Sequence, residues 1–94
     1  MVNMKVYAVI YEHDDYGMEF ELFRSRDNAI KYLHDEMHVC LQTGGWIVDG
    51  KPAGCVRIDD DDPTYVEALY SRSGDGDGET CIFWGRIEEK EVQE

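Results

Sequence analysis

Two hydrophobic periods run along this chain, and they separate one helix from several strands. Ile30, Leu33, Met37, Cys40 and Leu41 recur at helical spacing with Ala29 beside them, which is the stripe of an amphipathic helix. Ser25 stands at an N-cap position, Asp27 and Asn28 suit the first turn, and Gly44-Gly45 supplies a stop. The pattern predicts a helix within Ser25 to Gly45. Elsewhere the period is two. Met4 to Glu12 reads as a strand with both faces apolar, Val6, Ala8 and Ile10 on one and Tyr7, Val9 and Tyr11 on the other. Such a strand belongs in the middle of a sheet. Met18 to Phe23 alternates cleanly, with Glu19 and Glu21 outward and Met18, Phe20 and Leu22 inward, as in a half-exposed antiparallel strand. His13 to Gly17 is turn chemistry between the two.

Past the helix the segments are shorter. Trp46-Ile47-Val48 meets Asp49-Gly50, a two-residue hairpin signal, although Pro52 weakens the returning strand. Cys55 to Ile58 is a short strand that Asp59-Asp60-Asp61-Asp62-Pro63 ends. Thr64 to Arg72 reads as a strand from its Tyr, Val and Leu content, in competition with a helix started by Asp62 and Pro63. Ser73 to Glu79 is a Gly-rich loop, Thr80 to Ile87 the last strand, and Glu88 to Glu94 a frayed polar tail. The expected fold is α+β: an antiparallel sheet of about four or five strands with one helix on one face, in the order β-β-α-β-β-β. The expected core is Val6, Ala8, Ile10, Phe20, Leu22, Ile30, Leu33, Met37, Cys40 and Leu41, with one face of the last strands. The whole chain, 1–94, reads as a single domain.

Composition narrows the partner more than the chemistry. Acidic residues number 21 against 9 basic, a formal charge of −12. Such a chain repels phosphates, which argues against direct nucleic-acid or anionic-membrane binding. The charge either keeps the protein soluble or forms a surface for a basic partner, imitating a phosphate backbone. No run of about 18 apolar residues is present, and Met1 to Lys5 lead straight into a strand, so a cytoplasmic location is expected. Cys40, Cys55 and Cys81 are too few and too scattered for a disulfide scaffold and read as reduced, Cys40 in the core and Cys81 half-buried.

Candidate chemistry is sparse. His34 and His38 lie four apart on the helix and are the weak metal candidates. In the H-E-x-x-H motif the Glu is general base, whereas here Glu36 comes one position late, about 100° around the helix. Gly74 to Glu79 resembles part of a calcium loop, but no register supplies the twelfth-position Glu together with the sixth-position Gly. Asp59, Asp60, Asp61 and Asp62 are either a solvated run or an element that fills a phosphate site, since Arg and Lys pair with either anion. Glu19, Glu21, Asp75, Asp77 and Glu79 are the other acidic candidates. With Asp14, Asp15, Glu88, Glu89, Glu91 and Glu94 the acids are dispersed, as on a folded negative surface. Tyr7, Tyr11 and Trp84 are expected on the sheet face opposite the helix, as a dimer or partner surface. No phosphate loop, nucleophile elbow or paired C-x-x-C is present, and no cofactor is implied.

Tyr7-Ala8-Val9-Ile10-Tyr11, Phe20 to Ser25 and Ala29 to Leu33, with an F-x-S-x-x-x-A-x-x-Y pattern leading into the helix, resemble small phage and mobile-element proteins. Some small acidic members of that class are anti-CRISPR or anti-restriction inhibitors. The resemblance implies action in a host cytoplasm and assigns no site residue. The leading expectation is a non-enzymatic inhibitor that presents Glu19, Glu21, Asp59 to Asp62, Asp75, Asp77 and Glu79 to a basic, nucleic-acid-handling protein. The alternatives are an accessory protein that homodimerises through its aromatic sheet face, and a metal-dependent enzyme using His34 and His38.

Overall fold

A computed structural model describes residues 3–13, 17–54, 56–71 and 79–93. Strands β1 (Asn3–His13) and β2 (Gly17–Phe23) precede helix α1 (Arg26–Thr43). A small hairpin follows, β3 (Ile47–Val48) and β4 (Lys51–Pro52), and then β5 (Val56–Asp62), β6 (Tyr65–Tyr70) and β7 (Thr80–Gln93). The main sheet is antiparallel throughout, in the order β2-β1-β7-β6-β5, with α1 against one face. The α+β class and the strand order follow the expectation. β1 lies inside the sheet, and residues 65–70 are a strand.

The helix begins and ends as its sequence dictates. Ser25 has extended backbone, and its Oγ accepts the Asn28 N–H at 3.2 Å. Gly44 caps the other end by donating to the Cys40 carbonyl. The left-handed residue is its neighbour Gly45, at φ +79°. The β3–β4 turn places both Asp49 and Gly50 at positive φ, the geometry for which the Asp-Gly pair is suited. Trp46 rests on Tyr70 with ring centroids 5.0 Å apart, which ties this hairpin to the end of the sheet.

Leu33, Met37, Leu41, Val9, Val66 and Phe83 are fully buried between α1 and the sheet. The helix covers the face of β1 that carries Tyr7, Val9 and Tyr11, with Phe23, Val66, Ala68, Phe83 and Ile87 around them. This reverses the expected sides. Tyr7 and Tyr11 lie under the helix, and Phe20 and Leu22, expected in the core, are 59% and 53% exposed. Ala8 is buried, whereas Val6 and Ile10 are half-buried on the helix-free face. Register supplies the reason. Ala8 pairs with Leu22 and Ile10 with Phe20, so the apolar side of β2 is tied to the Val6, Ala8 and Ile10 side of β1 and is covered only if the helix takes that side. The later strands settle that choice. Val66, Ala68, Phe83 and Ile87 outweigh three residues of one edge strand, and Gly85, opposite Tyr11, lets α1 approach.

Two boundaries also differ. Asp59 to Asp62 belong to β5, whose pairing slips between Asp59 and Asp62. Residues 88–93, expected to fray, continue β7 and pair with Asn3 to Ala8. β2 reaches only as far as Tyr7, so among the described residues the early part of β1 has this polar segment as its sole neighbour in the sheet. Lys5 meets Glu89 at 3.8 Å, and Glu88 sits between Arg86 at 3.0 Å and Lys90 at 3.1 Å. The two-stranded extension lengthens the molecule to 55 × 25 × 24 Å, with a radius of gyration of 15.0 Å. A compact chain of this length has about 12 Å. Among the described residues no helix is long and apolar enough to cross a membrane.

Candidate functional site

Among the described residues, the side of the sheet opposite α1 carries no helix. Its side chains run in cross-strand rows. One row passes from Phe20 through Ile10 and Arg86 to Tyr65, and the next from Met18 through Glu12, Trp84 and Glu67 to Asp59. Leu22 stands beside Ala8 and Glu88 in a third. The face is therefore graded, apolar along β2 and acidic toward β5. Met18, Phe20 and Leu22 expose more than half of their surface in adjacent rows, a concentration that marks recognition surfaces more often than ordinary surface.

Aromatic side chains occupy the middle. The Arg86 guanidinium carbon lies 5.7 Å from the centroid of the Trp84 ring, within cation–π range. Tyr65, Glu67, Cys81, Trp84 and Arg86 line an open cleft of about 250 Å³. The Tyr65 hydroxyl is held above its ordinary range, first by desolvation and then by Glu67. Trp84 is on this face as expected. Tyr7 and Tyr11 are not, so the expected aromatic triad is divided between the two sides.

The acidic candidates are divided as well. Glu19 and Glu21 project from the helix side of β2, at one edge of the sheet, and Asp59 to Asp62 lie on β5 at the other. Two of them serve the fold. The Asp62 carboxylate accepts the Thr64 N–H at 2.9 Å and its hydroxyl at 2.8 Å, which holds its pKa below the usual range. Glu79 takes a two-point bond from Arg57, with Nε at 3.0 Å and Nη2 at 2.9 Å, and is lowered likewise. Asp60 and Asp61 are exposed and Asp59 is half-buried. Asp75, Asp77, Asp14, Asp15, Cys55 and the Gly-rich loop over residues 73–78 lie outside the described residues.

His34 Nε2 is 3.3 Å from the Pro63 carbonyl, and His38 is exposed. Among the described residues no three His, Cys, Asp or Glu side chains come close enough to share a metal ion. A second cleft, of about 230 Å³, opens between β2 and α1 and is lined by Tyr11, His13, Glu19, Glu36 and Cys40. The local pattern, His13 to Gly17, predicts a turn at His13. It is 3% exposed, with Nε2 3.3 Å from the Cys40 carbonyl. Parity was the available signal, since His13 follows Tyr7, Val9 and Tyr11 on one side of β1. Burial, then Glu36 and Glu19, push the Cys40 thiol up, so it stays protonated and weakly nucleophilic. Cys81, expected half-buried, is exposed.

No family model, curated protein or solved structure matches this chain.

Proposed function

We propose that this is a non-enzymatic binding protein that docks, through the helix-free face of its sheet, on a basic protein that handles nucleic acid. The observation that carries the reading is the exposed row of Met18, Phe20 and Leu22, continued across the sheet by Ile10, Trp84 and Tyr65. A net charge of −12 adds long-range attraction to a cationic partner, and desolvated apolar and aromatic contacts then set the dissociation rate. Inhibition by occupying a phosphate-binding surface, in the manner of anti-CRISPR and anti-restriction proteins, is the form of action that such a charge suits.

The test is affinity capture from a host-like lysate at about 50 mM and about 300 mM salt, with the bound protein identified by mass spectrometry. The expected catch is a basic, nucleic-acid-handling protein that weakens at the higher salt and binds Phe20→Ala about ten-fold less tightly. Capture of the chain alone, lost in Phe20→Ala, would replace this reading with homodimerisation through the same face. A catch indifferent to Phe20, Trp84 and salt would end both.

A further inference from the structure

The two edges of the sheet are built differently. β5 carries a register break between Asp59 and Asp62, consecutive aspartates, and Pro63 directly after it, all of which hinder a further strand. β2 has none of these. It pairs with β1 over seven residues without a break and contains neither Pro nor Lys. Gly17 to Leu22 are all exposed, and among the described residues no strand meets the outer edge. An open edge of this length presents unpaired main-chain donors and acceptors in register.

We propose that β2 is a strand-addition site for an extended partner segment in which Lys or Arg alternates with apolar residues. The inference rests on the binding-protein reading and specifies how the partner attaches. The two sides of β2 dictate the alternation. Toward the helix stand Glu19 and Glu21, with Glu36 of α1 behind Glu19. Neither Glu19 nor Glu21 is in an ion pair with a described residue. Basic side chains on an added strand would lie directly opposite them. Toward the helix-free side stand Met18, Phe20 and Leu22, which apolar side chains would cover.

The same geometry disfavours a second copy. Antiparallel pairing of two β2 strands about Phe20 sets Glu19 of each copy against Glu21 of the other. Sliding by two residues in either direction sets Glu21 against Glu21 or Glu19 against Glu19. Each arrangement faces like charges between two chains of −12.

The experiment is calorimetric titration of the whole protein with a peptide of about eight residues alternating Lys and Val. The comparison peptides are one of equal composition with its lysines in one block, and two N-methylated on one or the other alternate set of backbone nitrogens. The expected result is affinity at least about ten-fold above that of the blocked peptide, with one of the N-methylated peptides losing binding. Glu19→Lys with Glu21→Lys, at exposed positions, should weaken the alternating peptide by a similar factor. Hydrogen exchange at β2 in the wild-type protein should slow on binding. No binding, equal affinity for alternating and blocked peptides, or full binding by both methylated peptides would overturn strand addition. If the protein partner still binds in a Phe20-dependent way while the peptides fail in this manner, the docking reading stands and only the edge attachment falls.

Discussion

Gly85 is the residue on which the approach of helix to sheet depends. A methyl group there would overlap Leu33 Cδ1 and sit 3.1 Å from Tyr11 Cβ, inside a fully buried layer. Gly85→Ala should therefore destabilise the fold by about 1–3 kcal/mol, as overpacking of a filled core does. Leu33→Ala, which leaves a void, should cost about 2–5 kcal/mol. Urea denaturation measures both, and an unaffected midpoint for Gly85→Ala would contradict the close contact. Asp62 acts at the surface through pH. Its bonds to Thr64 hold its folded pKa below that of the unfolded chain. The stability it contributes is full above the unfolded value, about 4, and is lost as pH falls through the folded value. Asp62→Ala should unfold more readily at neutral pH, and the gap to wild type should narrow on acidification below about pH 4. A gap that widened on acidification would exclude this role. Tyr11 has the opposite sign. Burial, then its bond to Tyr32, raise its pKa, so above about pH 10 the unfolded chain ionises there before the folded one and stability declines.

Legibility varied between elements. α1 was read nearly to its ends, because a cap, a 3.6-residue stripe and a double glycine agree locally. The Asp49-Gly50 turn was equally plain. The side of the sheet that the helix would take was not, because β1 is apolar on both faces and β2 alternates perfectly while lying outside the core. A two-residue period reports that two faces differ, and here the sum of the other strands decided which one was covered. Glu88 to Gln93 misled for a related reason. The polar side chains of Glu88 to Glu91 have little to bury in a two-stranded ribbon, yet residues 88–93 pair with Asn3 to Ala8. Deleting residues 88–94 should accordingly lower stability by about 1 kcal/mol or more and speed exchange of the Met4 and Val6 amides, which point toward β7. A frayed tail would leave both unchanged. The exposed row of Met18, Phe20 and Leu22 is visible in the sequence as an alternation, but the pattern assigns Phe20 and Leu22 to the core. The division of Tyr7 and Tyr11 from Trp84, and of Glu19 and Glu21 from Asp59 to Asp62, depended on three-dimensional register that local pattern does not carry.

At the scale of the molecule, among the described residues no helix lies on the side of the five-stranded sheet opposite α1, and acidic residues stand at both edges. Association with a cationic partner should then be governed by the total field rather than by one patch. Asn substitution of Asp60 and Asp61 together should lower the association rate about two- to five-fold at low salt and little at about 300 mM. Stopped-flow kinetics would show it, and equal rates at low salt would remove this pair from the field that matters. The sheet's central pairing has a different consequence. β1 and β7 are neighbours in space yet the first and last strands in sequence among the described residues, with Asn3 across from Gln93. A ribosome releases β1, β2 and α1 long before the strand that completes them. Until β7 emerges, β1 has an open flank, and the helix lacks Phe83 beneath it. Closing so long a loop is slow, which places refolding in the millisecond-to-second range of β-rich domains. The nascent protein is thus most exposed to chaperones and to mispairing in the interval before β7 is made.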